Sequence, residues 1–261
     1  IASIAIGTST KTALQWRMDS YAKVQHMQTG NVIADANINS ILNTVKNKGL
    51  VIVSLHNTSR YAAQNYGLTV SAIQLIQKLA LQSKLILISF GNPYALKNFP
   101  GLDAIIQAYE DDPIMQDQVA QALFGSIGMT GKLPVSASEE YRSGMGLKTE
   151  SLMKFGYSIP ERVNINSLKL SSLDAITERI VADRAAPGGQ LLVARHGKIV
   201  YHKSFGHFDY DKINPVGLAD MYDVASITKV AASTLAVMKL YEEGIISLDQ
   251  PFSNYLPALS N

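Results

Sequence analysis

The chain has 261 residues, 47% hydrophobic and 17% charged, so it holds enough apolar side chains to bury the cores of two domains. Its net charge of +2 and the lack of a long basic run argue against nucleic acid as the main partner. The absence of cysteine excludes disulfides and thiolate metal sites, and no apolar run is long enough to span a bilayer.

Short apolar runs alternate with helical patterns through the first half of the chain. Between these runs, apolar residues recur at i, i+3, i+4 and i+7, the spacing of a helix with one buried face. This alternation predicts a doubly wound α/β domain over residues 1–137, with a mainly parallel sheet and helices on both faces. Asp112 and Pro113 are predicted to cap and open one helix. The strand-like runs are residues 1–6, 50–55, 85–90 and 102–109, and the helical stretches are 38–45 and 72–79.

Ligands of doubly wound sheets bind beyond the carboxyl ends of the strands, where this chain has three polar loops. None of the three carries a glycine-rich phosphate fingerprint, and turn chemistry explains their composition. The histidines lack metal-ligand spacing, so we expect no metal or cofactor, and only His56 is a candidate worth testing. Trp16 is interpreted as a packing residue. The loops begin at Gly7, His56 and Gly91.

Three short elements in the first half carry a family resemblance. Gly91-Asn92-Pro93, Tyr109-Glu110 and Gly131-Lys132-Leu133-Pro134 are similar in order and spacing to the carboxy-terminal α/β domain of glycoside hydrolase family 3. The resemblance points to the β-N-acetylglucosaminidase branch, in which the nucleophile and the acid/base histidine belong to a preceding barrel. No barrel is present here, so no glycosidase catalytic residue transfers, and residues 1–137 are interpreted as an accessory domain.

The second half reads as a linker followed by part of a second domain. Residues 138–165 show no sustained hydrophobic period and are interpreted as the linker. Residues 166–261 are predicted to form a truncated α+β domain with a strand pair turning at His196-Gly197. Its strands near 190–205 are expected to lack later partners, and such an open edge invites self-association.

Ser226 and Lys229 are the predicted catalytic residues. They open a predicted amphipathic helix at Ile227 to Glu243 that Gly244 ends. Free N–H groups at a helix start would stabilise an alkoxide on Ser226, and burial would lower the pKa of Lys229, giving a neutral amine to take the proton. Ser-x-x-Lys also occurs at residues 20–23 and 151–154, so the motif alone leaves open that Ser226 is a helix cap and Lys229 a solvated lysine. The predicted apolar face comprises Ile227, Ala231, Thr234, Leu235 and Met238.

The flanks of this motif resemble a known enzyme family. Val-Ala-Ser-Ile-Thr-Lys at 224–229, with Leu-Tyr-Glu-Glu-Gly at 240–244, is similar to the serine β-lactamase and penicillin-binding-protein-like family, particularly its class C and esterase-like branch. The resemblance covers about residues 165–261 and implies that Ser226 is the acylated serine and Lys229 its proton acceptor. The family's Tyr-x-Asn or Ser-x-Asn and Lys-Thr-Gly or His-x-Gly motifs do not follow Lys229, so we expect an incomplete site.

Three functions remain open from the sequence. We favour a fragment of a bifunctional bacterial hydrolase, inactive by itself, that joins a β-N-acetylglucosaminidase accessory domain to the start of a β-lactamase, peptidase or esterase domain. The resemblances imply a small-molecule or cell-wall-derived substrate and a periplasmic or exported parent. The alternatives are a noncatalytic carbohydrate-binding module and a scaffold in which Ser226 is only a cap.

Overall fold

The computed structural model describes residues 1–152 and 154–259. They form two compact units: residues 1–152, 154–171 and 192–201 make the first, and residues 172–191 and 202–259 the second. Within the described ranges, no helix combines the length and the apolar character that crossing a membrane requires.

The first unit is built on a five-stranded parallel sheet. Its strands are β1 (Ala2–Ile6), β2 (Gln25–Thr29), β3 (Val51–Leu55), β4 (Leu85–Ser89) and β5 (Ala104–Gln107). The strand order is β2-β1-β3-β4-β5, and all four pairings are parallel. The predicted doubly wound α/β fold is therefore confirmed.

Helices cover both faces of this sheet. Because side chains alternate along a strand, β3 sends Val51 and Val53 into one core and Ile52 into the other. The first core is completed by α2 (Asp35–Val45) and α3 (Val70–Gln82), and the second by α1 (Ala13–Met18) and α4 (Pro113–Leu123). β1 and β3 are fully buried because both of their faces are covered.

Sequence patterns missed β2 and α1, and they misjudged Trp16. β2 is an edge strand with the polar sequence Gln-His-Met-Gln-Thr, so it has no apolar run. The six-residue α1 did carry a readable signal, because Thr12 and Gln15 form a capping box at its start. Trp16 is 64% exposed on this helix and lies under the Lys11 amine, so the expected packing role is wrong.

The cap of α4 is confirmed. The Asp112 carboxylate accepts the backbone N–H groups of Ile114 and Met115 at 2.8 and 2.9 Å, and Pro113 occupies the first turn. This arrangement satisfies N–H groups that have no partner inside the helix.

A polar network around the buried His56 ties the end of β3 to α4. His56 is 2% exposed, and its Nδ1 and Nε2 lie 2.8 Å from Asp111 Oδ1 and 2.9 Å from Ser54 Oγ. Asp111 also accepts from Gln116 Nε2 at 2.7 Å and from the Asn57 N–H at 2.7 Å. Burial alone would raise the pKa of Asp111, but the bonds from His56, Asn57 and Gln116 outweigh it and hold that pKa below its ordinary value.

The stretch predicted as a linker, residues 138–165, falls within the first unit, and part of it is bonded to α4 and the residues that follow α4. The Ser126 hydroxyl donates to the Phe155 carbonyl at 3.1 Å, and Tyr157 N–H donates to Gln121 Oε1 at 2.9 Å. Gly156–Tyr157 forms the short strand β6, and α5 (Ser167–Leu170) follows. The domain boundaries proposed from the sequence stay predictions.

A hairpin contributes to both units. β7 (Gly188–Arg195) and β8 (Lys198–Gly206) meet at His196 and Gly197, whose φ angles of 50° and 70° form the turn that the sequence predicted. β8 also pairs with β6 in parallel, giving the order β6-β8-β7. Among the described residues, β7 therefore forms one edge of this sheet. The second unit also contains α6 (Ser172–Ala182) and α7 (Thr234–Glu242).

We expect Asp111→Asn to destabilise the folded protein by about 1–3 kcal/mol at pH 7, because the imidazole and N–H donors lose a charged acceptor. The folded pKa of Asp111 is lowered, so its contribution is present above the unfolded value of about 3.9 and is lost as pH falls through the folded value. The stability difference between the two proteins should therefore shrink below about pH 4.

Urea unfolding followed by circular dichroism between pH 7 and pH 3 measures this difference. Asp103→Asn, a change at an exposed aspartate just before β5, serves as the control and should follow the wild-type curve. A constant difference at every pH would contradict the assigned role of the Asp111 charge.

Candidate functional site

Ser226 and Lys229 lie side by side in the second unit. Lys229 Nζ donates to Ser226 Oγ across 3.1 Å. The hydroxyl is thus bonded to the amine, rather than serving as a cap on a backbone N–H of the following turn. The catalytic role of the pair stays a prediction, since proximity alone does not establish it.

The backbone before Ser226 is in an unusual conformation. Ala225 has a φ of 42°, in the left-handed region that non-glycine residues seldom adopt. The Asp223 carboxylate accepts the Ala225 N–H at 2.8 Å and holds this residue in place. The turn therefore fixes the direction in which Ser226 leaves the loop and enters the helix.

The predicted helix and its end are observed. A π-helical segment at Lys229–Ser233 leads into α7, and Gly244, with φ of 69°, follows the last turn. Gly244 N–H donates to the Tyr241 carbonyl at 3.0 Å, as expected of a glycine that ends a helix.

The predicted burial of this helix is not found. Ser226 and Lys229 are both exposed, and so are the apolar residues of the predicted face, including Ile227 and Leu235. The π-helical turn also shifts the residues after it around the helix axis relative to those before it, so a uniform 3.6-residue period does not describe the whole segment. Sequence periodicity shows that a face could be buried, but tertiary contacts decide whether it is.

The other two Ser-x-x-Lys copies use their serines differently. Ser20 Oγ accepts from Arg17 at 3.4 Å, and Ser151 Oγ donates to the Ser126 carbonyl at 3.1 Å. Both serines thus bond to groups outside their own motif. In the copy at residues 226–229 the serine hydroxyl and the lysine amine are in direct contact, which the sequence pattern could not reveal.

His56, the candidate from the first unit, belongs to a chain of bonds that connects Ser54, His56 and Asp111. This order matches that of a hydrolase triad, but Ser54 is fully buried, so no substrate can reach its hydroxyl. Sequence reasoning missed Ser54, although residues i and i+2 of a strand share a face. Asp111 lies 55 positions from His56, and only the fold brings the two together.

A polar cleft opens beside this network, at the carboxyl ends of β3, β4 and β5. Its volume is about 580 Å³. Two of the three loops predicted from the sequence line it, while the loop at Gly7 does not contribute. Burial raises the pKa of Tyr109 at its wall. The lining residues are Asn57, Thr58, Ser59, Arg60, Gly91, Tyr109, Glu110, Asp111 and Asp112.

Within residues 1–152 and 154–259, no group of three or more histidine, cysteine or acidic side chains could hold a metal ion.

Two solved structures are similar to parts of the chain. A glycoside hydrolase family 3 β-N-acetylglucosaminidase from Paenibacillus sp. str. FPU-7 gives a TM-score of 0.40 at 19% identity, covering 48% of this chain and 25% of the other. A fungal multi-domain family 3 β-N-acetylglucosaminidase gives 0.42 at 17% identity, covering 56% and 16%. At these TM-scores neither likeness supports a further conclusion.

Sequence comparisons find two similar relatives and one family model. Esterase EstB of Burkholderia gladioli is 31% identical over 99 residues, covering 38% of this chain and 25% of EstB. Protein flp of Staphylococcus aureus (strain NCTC 8325 / PS 47) is 33% identical over 85 residues, covering 33% and 17%. The chain thus spans a quarter or less of these relatives. Residues 173–261 match the family model described as Beta-lactamase.

Proposed function

We propose that Ser226 and Lys229 are the nucleophile and proton acceptor of a serine acyl-transfer site of the β-lactamase type. The observation that carries the proposal is the 3.1 Å contact between the serine hydroxyl and the lysine amine. The family match over residues 173–261 and the similarity to an esterase support it. Lactams, peptides and esters are the acyl substrates of this chemistry.

The reaction follows from the placement of the two side chains. Ser226 Oγ bonds to a substrate carbonyl carbon, its proton passes to neutral Lys229, and the carbonyl electron pair moves onto oxygen. Backbone N–H groups are the natural donors to that oxyanion. When the carbonyl re-forms, the leaving alcohol or amine takes the proton from Lys229, and water later releases the acyl group.

Exposure of Lys229 bears on how well this pair functions. A lysine acts as a base only after it loses its proton, and burial is the environment that favours the neutral form. Lys229 is exposed to solvent instead. We therefore expect covalent capture of a reactive probe, without rapid turnover.

We further propose that residues 1–137 are the accessory domain of a family 3 β-N-acetylglucosaminidase, so that the parent protein is a bifunctional bacterial hydrolase. The support is the ordered set of Gly-Asn-Pro, Tyr-Glu and Gly-Lys-Leu-Pro elements on a doubly wound α/β sheet. A cell-wall-derived substrate and a periplasmic or exported location agree with that pairing of activities.

The acyl-transfer proposal predicts that a fluorophosphonate probe modifies Ser226. Intact-mass spectrometry and peptide mapping should show one adduct in the wild-type protein and none in Ser226→Ala. Lys229→Met should lower the labelling rate by about a hundredfold, since a positioned base contributes that much to proton transfer.

Ser20→Ala and Ser151→Ala are matched controls, because both remove the serine of another Ser-x-x-Lys copy. Each should label at the wild-type rate. An unmodified wild-type protein, or an adduct that survives in Ser226→Ala, would refute the proposal and favour a structural role for Ser226.

A second candidate function is carbohydrate binding by the first unit. The cleft of about 580 Å³ favours it, because its carboxylates, one amide and one arginine can bond to sugar hydroxyls while the ring of Tyr109 contacts a sugar face. This function needs no bond-breaking step and is independent of Ser226.

The carbohydrate proposal predicts saturable binding of N-acetylglucosamine or chitobiose by isothermal titration calorimetry. Glu110→Ala should weaken binding about tenfold, the equivalent of one lost charge-assisted hydrogen bond. Glu139→Ala, a change at an exposed glutamate that does not line the cleft, should bind like the wild type. Heat signals that do not saturate at millimolar sugar would dismiss this function.

A further inference from the structure

The helix that carries Lys229 begins with a narrow turn. Three consecutive i to i+3 bonds close it: Ile227 N–H to Val224 O at 2.9 Å, and the next two pairs at 3.1 Å each. The last of these joins the Lys229 N–H to the Ser226 carbonyl. These bonds bring residues i and i+3 close together, and Lys229 Nζ lies 3.1 Å from Ser226 Oγ.

A wide turn follows immediately. Lys229–Ser233 is π-helical, and the Lys229 carbonyl accepts the N–H of Thr234, five residues on. The same carbonyl accepts the Thr234 hydroxyl at 2.8 Å. Two donors from one residue thus hold the widest point of the helix.

The wide turn fixes the backbone at Lys229. An α-helical turn has 3.6 residues and i to i+4 bonds, whereas the bond to the Lys229 carbonyl comes from a residue five positions on. If this carbonyl returned to an ordinary i+4 partner, the peptide at Lys229 would rotate and carry Nζ away from Ser226 Oγ.

We propose that Thr234 is a positioning residue for the Ser226–Lys229 pair, acting through the Lys229 carbonyl. This inference rests on the proposed acyl-transfer function. Thr234 does not touch the hydroxyl or the amine, and its effect on them is transmitted by the backbone. Short π-helical segments inside α-helices occur frequently at functional sites, which agrees with this role.

A purely structural explanation is available for the same bond. Serine and threonine hydroxyls often bond to carbonyls of the preceding helical turn and bend the helix slightly. In that case loss of the hydroxyl would change stability, while the geometry and reactivity of Ser226 would stay as they are. The two explanations therefore differ in a measurable way.

Thr234→Val and Thr234→Ser separate them, because valine keeps the shape of threonine without its hydroxyl and serine keeps the hydroxyl. Thr234→Val should label with the fluorophosphonate about tenfold more slowly, since small misplacements of reacting groups have large effects on rate. Thr234→Ser should restore most of the wild-type rate. Ser233→Ala, at the neighbouring position, should label like the wild type.

Crystal structures of the two Thr234 variants test this inference independently of the labelling experiment. Thr234→Val should show an α-helical turn at Lys229, with Nζ beyond hydrogen-bond distance of Ser226 Oγ, and Thr234→Ser should keep both features of the wild type. A valine variant that retains the wide turn and the 3.1 Å contact, or labels at the wild-type rate, would overturn the inference. If the wild-type protein itself is not labelled, the acyl-transfer function fails. The structure of Thr234→Val still tests this inference separately, because it shows whether loss of the hydroxyl breaks the contact between Lys229 Nζ and Ser226 Oγ.

Discussion

Parallel strand pairing is the constraint on which the first unit depends. Parallel strands need long crossover connections, and the helices in those connections cover both faces of the sheet. β1 and β3 are consequently buried on both sides, and their side chains divide between two cores. The same parallel direction brings the carboxyl ends of β3, β4 and β5 to one edge, where the polar cleft lies.

The network around His56 holds in place the edge formed by the carboxyl ends of the strands. A buried imidazole needs partners for both nitrogens, and Ser54 and Asp111 supply them. Asp111 in turn bonds to α4 through Gln116 and to the loop after β3 through the Asn57 N–H. The bonds that resemble a hydrolase triad thus anchor the wall of the cleft, while the buried serine rules out direct catalysis.

The second unit brings its reactive side chains together in a different way. Its serine and lysine are brought together by local backbone geometry: a left-handed Ala225, a narrow first turn and a wide turn at Lys229. None of these features depends on a buried core, which explains how an exposed helix can hold the 3.1 Å contact. Local geometry places the amine beside the hydroxyl, while the exposed helix leaves both groups open to solvent.

The sequence by itself determined the features that depend on near neighbours along the chain. These are the alternation that predicts a doubly wound sheet, the Asp112 cap, the His196-Gly197 turn and the spacing of Ser226 and Lys229. Only the tertiary structure showed that the polar segment β2 is an edge strand and that His56 bonds to Asp111. It also decided that Trp16 and the helix after Ser226 are exposed. The reason is physical: hydrogen bonds within a turn depend on a few adjacent residues, whereas burial depends on which distant surfaces come into contact.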